Sequence, residues 1–178
     1  MPLSTNAALV EPFGDAATEA GQPIQTIVIG IGNNLMTDDG AGIHVIDRLR
    51  EMDLPEHVRL VDGGTLGFTL LEIVEGARRL IVVDAAQLEA EPGTVQVFQD
   101  AEMDGYLTGC RRSSVHEVNL LDVIGAARFR GNMPKRYALV GIQPESVDWG
   151  AEPTERVARG VDQATAAILE LLNEEDAR

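Results

Sequence analysis

Only one cysteine, Cys110, occurs in the 178-residue chain, which excludes an internal disulfide and fits a reducing compartment. Lysine is as scarce. Lys135 is the sole one, so the Gly-Lys-Ser or Gly-Lys-Thr of a phosphate-binding loop does not exist here. Basic residues are few overall, 14 Lys plus Arg against 29 Asp plus Glu, for a formal net charge of -15. A chain this acidic repels phosphate backbones, whose binding depends on cationic side chains displacing counterions, so no nucleic-acid partner is expected. Long apolar runs are also missing. The most apolar short stretch, Leu80 to Val83, falls far below the roughly 18 residues that suggest a membrane span. The first Lys or Arg is Arg48, so the basic start of a secretory signal is not seen and a cytoplasmic protein is expected.

What is present suits one folded domain: hydrophobic residues make up 44% of the chain, a level typical of globular proteins and above that of disordered ones. Residues 1–23, rich in Ala, Thr, Glu, Gly and Pro, read as a flexible tail, leaving 24–178 as a single α/β domain. Apolar runs then alternate with helical patterns in a β-α-β manner. The first strand is expected over Thr26 to Ile31, followed by a Gly-rich turn and a helix from about Gly40 to Met52 whose buried stripe is Ile43, Ile46 and Leu49. Val58 to Val61 forms the second strand, a helix carrying Leu70, Leu71 and Val74 follows, and Leu80 to Val83 forms the third. Such continuous apolar runs suit a buried parallel sheet. Only a short connector with Pro92 and Gly93 precedes the alternating strand Thr94 to Phe98, too little for a crossover helix, so strand four should run antiparallel. A helix over about Val115 to Ala127, a fifth strand from Tyr137 to Ile142 and a last helix with Val157, Val161, Ala164, Ile168 and Leu171 on one face complete the pattern.

The segment GIGNNLMTDDGAG, Gly30 to Gly42, follows a strand and opens a helix. A dinucleotide fingerprint would need glycine where Leu35 stands, so that reading fails. Two adjacent carboxylates remain. Asp is a favoured N-cap and is stabilised by the helix dipole, so Asp38 is expected to be the structural cap, leaving Asp39 to point elsewhere. Asp84 ends the most apolar strand, where a charge must find water, a donor or a cation. In open α/β sheets ligands bind beyond the carboxyl ends of strands where strand order reverses; with an order beginning 2-1-3, Asp39 and Asp84 would flank that crevice. The bland reading of Asp84 is a cap of the following turn. Ser114 and Glu117 form an S-x-x-E capping box, which puts His116 in a helix's first turn, where the dipole disfavours imidazolium and a neutral ring keeps a lone pair. A histidine at a helix start is by itself more often a surface residue. Two carboxylates and an imidazole make a mixed set able to hold a borderline divalent metal with positions left open, although three ligands from three segments are not a local motif.

Other chemistries are weaker. Cys110 and His116 could be paired as a thiol protease, but nothing marks a third orienting group near Cys110. Asp62-Gly63-Gly64-Thr65 matches the aspartic protease signature only loosely, with an extra glycine and no second copy. The paired glycines and Thr65 read instead as a pliant loop whose exposed backbone could meet an extended peptide, or simply as a strand-to-helix turn.

These residues together resemble the hydrogenase maturation proteases that process nickel-iron hydrogenase large subunits. The carriers, between about Thr26 and Leu172, are GIGNNLMTDDGAG at 30–42, DGGT at 62–65, Val83-Asp84-Ala85, Ser114-Val115-His116 and GIQPES at 141–146. The resemblance implies a three-layer α/β/α sandwich of the phosphorylase/hydrolase-like kind, with a five-stranded, mostly parallel mixed sheet and strand four an antiparallel edge. It implies metal ligation by Asp39, Asp84 and His116, with the two aspartates catalytic through that metal; where some relatives carry glutamate, Asp39 keeps the charge and shortens the reach. It further implies that nickel already in the large-subunit precursor is what these ligands read, so that cutting follows cofactor assembly, the nickel is carried by the substrate and no resident organic cofactor is needed. A monomer is expected. Two competing readings are a nucleotide-binding α/β module and a nickel-sensing chaperone that cuts nothing.

Overall fold

The computed structural model describes residues 26–65, 67–109 and 115–176, and the side chains of all of these except 115–119, 175 and 176. The 1–23 tail, Cys110 and Ser114 lie outside the described residues.

Strand β1 (Thr26–Ile31) is buried along its whole length, as its unbroken apolar run requires. It pairs in parallel with β2 (Val58–Gly64) on one side and with β3 (Arg79–Ala85) on the other. Strand β5 (Arg136–Ile142) adds in parallel to β3, and β4 (Val95–Gln99) closes the sheet antiparallel to β5, giving the order β2-β1-β3-β5-β4. The antiparallel edge strand follows from the short 85–94 connector, which cannot carry a chain back across the sheet.

Helices cover both faces. On one, α1 (Ala41–Arg50) and α5 (Glu155–Asp176) pack Val45, Ile46, Leu49, Val161 and Ile168 against Val28, Ile81 and Val140. On the other, α2 (Leu71–Glu75), α3 (Ala101–Gly109) and α4 (Val115–Phe129) pack Val74, Met103, Leu107, Val123 and Ile124 against Ile27, Ile29, Leu80 and Val82. Each fully buried aliphatic side chain contributes about 1.5–3 kcal/mol of transfer free energy, and both faces of every central strand are occupied this way. Among the described residues no helix is long and apolar enough to cross a membrane.

Two elements differ from the sequence expectation. Helix α3 is not anticipated by the sequence pattern, because its only buried apolar residues are Met103 and Leu107, a single i, i+4 pair interrupted by Gly105. Strand β2 runs on through Asp62, Gly63 and Gly64, where a turn is expected; its register against β1 shifts between Gly30 and Ile31, so that Ile31 pairs with Gly64.

Candidate functional site

The first turn of α1 lies directly on the ends of β1 and β3. A Cβ on Gly42 would sit 2.3 Å from the Ile31 carbonyl oxygen and 2.4 Å from that of Val83, so only glycine permits this approach. A second constraint lies in the preceding turn. Gly32 has φ of +140°, and a Cβ there would be 2.0 Å from the Asp39 carbonyl oxygen. The glycines of the 30–42 segment therefore serve close backbone packing that delivers the 3-10 turn Thr37–Gly40, with its two aspartates, onto the β1/β3 edge.

Asp38 is not the helix cap that its position suggests. Neither the 3-10 turn nor α1 has a side-chain cap, and the Asp38 carboxylate is fully buried and turned the other way. Its Oδ2 accepts the backbone N–H groups of Glu145 and Ser146 at 2.9 Å each and the Thr154 hydroxyl at 3.1 Å; Oδ1 accepts the Thr154 N–H at 2.6 Å. The physical reason for the correction is burial: with water excluded, the carboxylate needs several donors, and the loop between β5 and α5 supplies them. Asp38 thus rivets the 30–42 block to the GIQPES block, a contact that no local spacing reveals. Within the latter, buried Gln143 accepts the Leu88 N–H at 2.7 Å, tying the segment after β3 to the same loop.

Asp39 is half-buried and accepts the Asn33 N–H at 3.2 Å, which folds its carboxylate over the turn that follows β1. Asp84 is the penultimate residue of β3 and only 2% exposed. The 3-10 turn that carries Asp39 packs on β3 itself, so the two aspartates reach the carboxyl edge of neighbouring strands at the point where strand order reverses. The backbone of His116 comes toward the same edge by a different route. Helix α4 ends at Phe129, shortly before β5 begins at the amino edge of the sheet. Its 15 residues span about 22 Å, the length of a seven-residue strand, so its first turn, with the His116 backbone, comes at the carboxyl edge. The His116 side chain and the Ser114–Glu117 capping box fall outside what is described. Among the described residues no group of three or more His, Cys, Asp or Glu side chains could hold a metal ion; two carboxylates of the expected three ligands lie within that set.

The DGGT block needs a partial correction. Gly63 is buried, and a Cβ there would meet Ile29 Cγ2 at 2.8 Å and the Gly30 carbonyl oxygen at 3.0 Å, so it serves the packing of β2 on β1 and not a pliant exposed loop. Gly64 is half-buried, donates its N–H to Asp62 Oδ1 at 3.0 Å and accepts the Gly32 N–H at 2.9 Å. Thr65 is exposed next to it, at the same edge of the sheet.

Comparison with known proteins agrees with this architecture. A family model described as hydrogenase maturation protease matches residues 43–171. The hydrogenase expression/formation protein HupD of Rhodobacter capsulatus is 39% identical over 155 residues, which cover 85% of this chain and 73% of that protein. The hydrogenase 2 maturation protease of Escherichia coli K12 is 34% identical over 153 residues, covering 85% and 92%. Among solved structures, the hydrogenase maturating endopeptidase HybD from E. coli superposes with a TM-score of 0.79 at 34% identity, covering 85% of this chain and 93% of that one. The HybD protease of Thermococcus kodakarensis, at 23% identity and a TM-score of 0.68, shares the fold. Matched over most of its length by sequence and by fold, the chain belongs to the hydrogenase maturation protease family and is a peptide-bond hydrolase.

Proposed function

We propose that this endopeptidase removes the C-terminal extension of a nickel-iron hydrogenase large-subunit precursor after nickel has been inserted, and that Asp39, Asp84 and His116 recognise the nickel the substrate carries. What supports this reading is that Asp84 lies at the end of β3 and the 3-10 turn carrying Asp39 packs on that strand, at the edge of the sheet where strand order reverses; a cation bound between the two carboxylates would relieve their repulsion. A neutral imidazole from the start of α4 would complete an oxygen, oxygen, nitrogen set suited to nickel, with positions left for ligands from the substrate.

In this reading the nickel docks the substrate first, and any catalytic part of Asp39 and Asp84 passes through that same ion, by polarising the scissile carbonyl or activating water. Gly64 and Thr65 would line the path of the peptide; Gly63, being buried, would not. The test is cleavage of nickel-loaded precursor by Asp39→Ala, Asp84→Ala and His116→Ala, followed by mass spectrometry, with circular dichroism to show that each variant is folded. All three should lose cleavage while keeping the helix signal. Full cleavage by folded variants would refute the assignment.

A further inference from the structure

The loop between β5 and α5 is fixed to the segment before Asp39 by far more than Asp38. Thr37 donates its backbone N–H to the Gly150 carbonyl at 2.7 Å and its hydroxyl to the Ser146 carbonyl at 2.9 Å, and that hydroxyl accepts the Asp148 N–H at 3.0 Å. Gly150 in turn donates to the Leu35 carbonyl at 3.0 Å. Thr37 pays for these contacts with a φ of +34°, a strained value for a β-branched residue that persists only because the surroundings over-determine it.

On this tied pair of loops stand Leu35 at 58%, Val147 at 53% and Trp149 at 80% exposure. Large apolar side chains held out to water on a rigid backbone are pre-organised for contact, since little ordering entropy remains to be lost on binding. The neighbouring exposed groups Asp148 and Glu152 are acidic, whereas Glu145 is offset by Arg156 at 3.6 Å. The geometry points to Leu35, Val147 and Trp149 as the anchor by which the protein substrate docks, through a surface that sets Arg or Lys beside apolar side chains. The exposed indole face suits a guanidinium or ammonium as well as an aliphatic chain. This docking surface rests on the function proposed above and adjoins Asp39 through Thr37, which shares its 3-10 turn.

Trp149 is the only tryptophan in the chain, which gives the inference a direct probe. Protein labelled with 5-fluorotryptophan has one fluorine resonance, and it should shift when nickel-loaded precursor is added under conditions where cleavage proceeds. Trp149→Ala and Leu35→Ala should raise KM by about tenfold, with the smaller effect on kcat. Phe129→Ala, an exposed apolar change at the far end of α4, should leave KM as it is. Raising salt to about 0.5 M should raise the wild-type KM, as attraction between acidic and basic surfaces is screened. An unmoved resonance in a cleaving mixture, or an unchanged KM in both alanine variants, overturns the docking inference while leaving the proposed reaction standing. Failure of the wild-type chain to cut the precursor removes the reaction and this inference together.

Discussion

Replacing Asp38 by asparagine separates two accounts of that residue. Were it a helix cap, the change would be nearly silent, since Asn and Asp cap about equally well. The structure predicts a clear loss. In Asp38→Ala's milder counterpart, Asp38→Asn, the amide oxygen would stay where Oδ2 accepts three donors and the NH2 would turn toward the Thr154 N–H, which Oδ1 now accepts at 2.6 Å. One charge-assisted hydrogen bond is lost and two donors face each other out of water, a cost of about 2 kcal/mol. Asp38→Ala leaves three backbone N–H groups without their acceptor; those of Glu145 and Ser146 belong to exposed residues and recover some hydration, so the total is about 3 kcal/mol. For a domain of this size the asparagine variant should melt about 4–8 °C below wild type. Urea unfolding followed by circular dichroism, with calorimetric melting as a second probe, measures both. A stability within about 0.5 kcal/mol of wild type for Asp38→Asn would refute the cross-link and restore the cap.

Gly42→Ala should destabilise the fold by about 3 kcal/mol, because its Cβ would press on two strand carbonyls that cannot move apart without opening the sheet, and urea midpoints would show it. Burial, and the hydrogen bond that Tyr137 donates to Asp104 at 2.9 Å, raise the Tyr137 phenol above its usual value of 10.0. Because the folded-state pKa is the higher one, this stabilisation is complete below pH 10 and is lost as pH climbs through the folded value. Melting temperatures should therefore fall over that alkaline window in the wild type and fall less steeply in Tyr137→Phe.

The sheet is legible because its strands are continuous apolar runs with no competing helical period, and the direction of β4 follows from the shortness of the connector before it. Asp84 and Asp39 can be singled out because a charge closing an apolar strand or opening a helix is locally conspicuous. Helix α3 stays hidden since one Met103–Leu107 pair is too short a stripe to stand out. Asp38 is misleading for a different reason: its partners lie 107 to 116 residues away, and a cap is the only role that the sequence around it offers. The burial of Gly63 follows from the β2 register against β1, which shifts between Gly30 and Ile31 in a way that the spacing of glycines does not encode. The tethering of the loop that carries Trp149 is invisible for the same reason as the role of Asp38, because both arise from the union of two distant loops.

The proposed cut depends on metal already in the substrate. Nickel-loaded and nickel-free precursor should be incubated with the purified protein and the products weighed by mass spectrometry. Loss of a C-terminal fragment from the nickel-loaded precursor alone is the predicted result. An unchanged mass in both, or equal cutting of both, would contradict it.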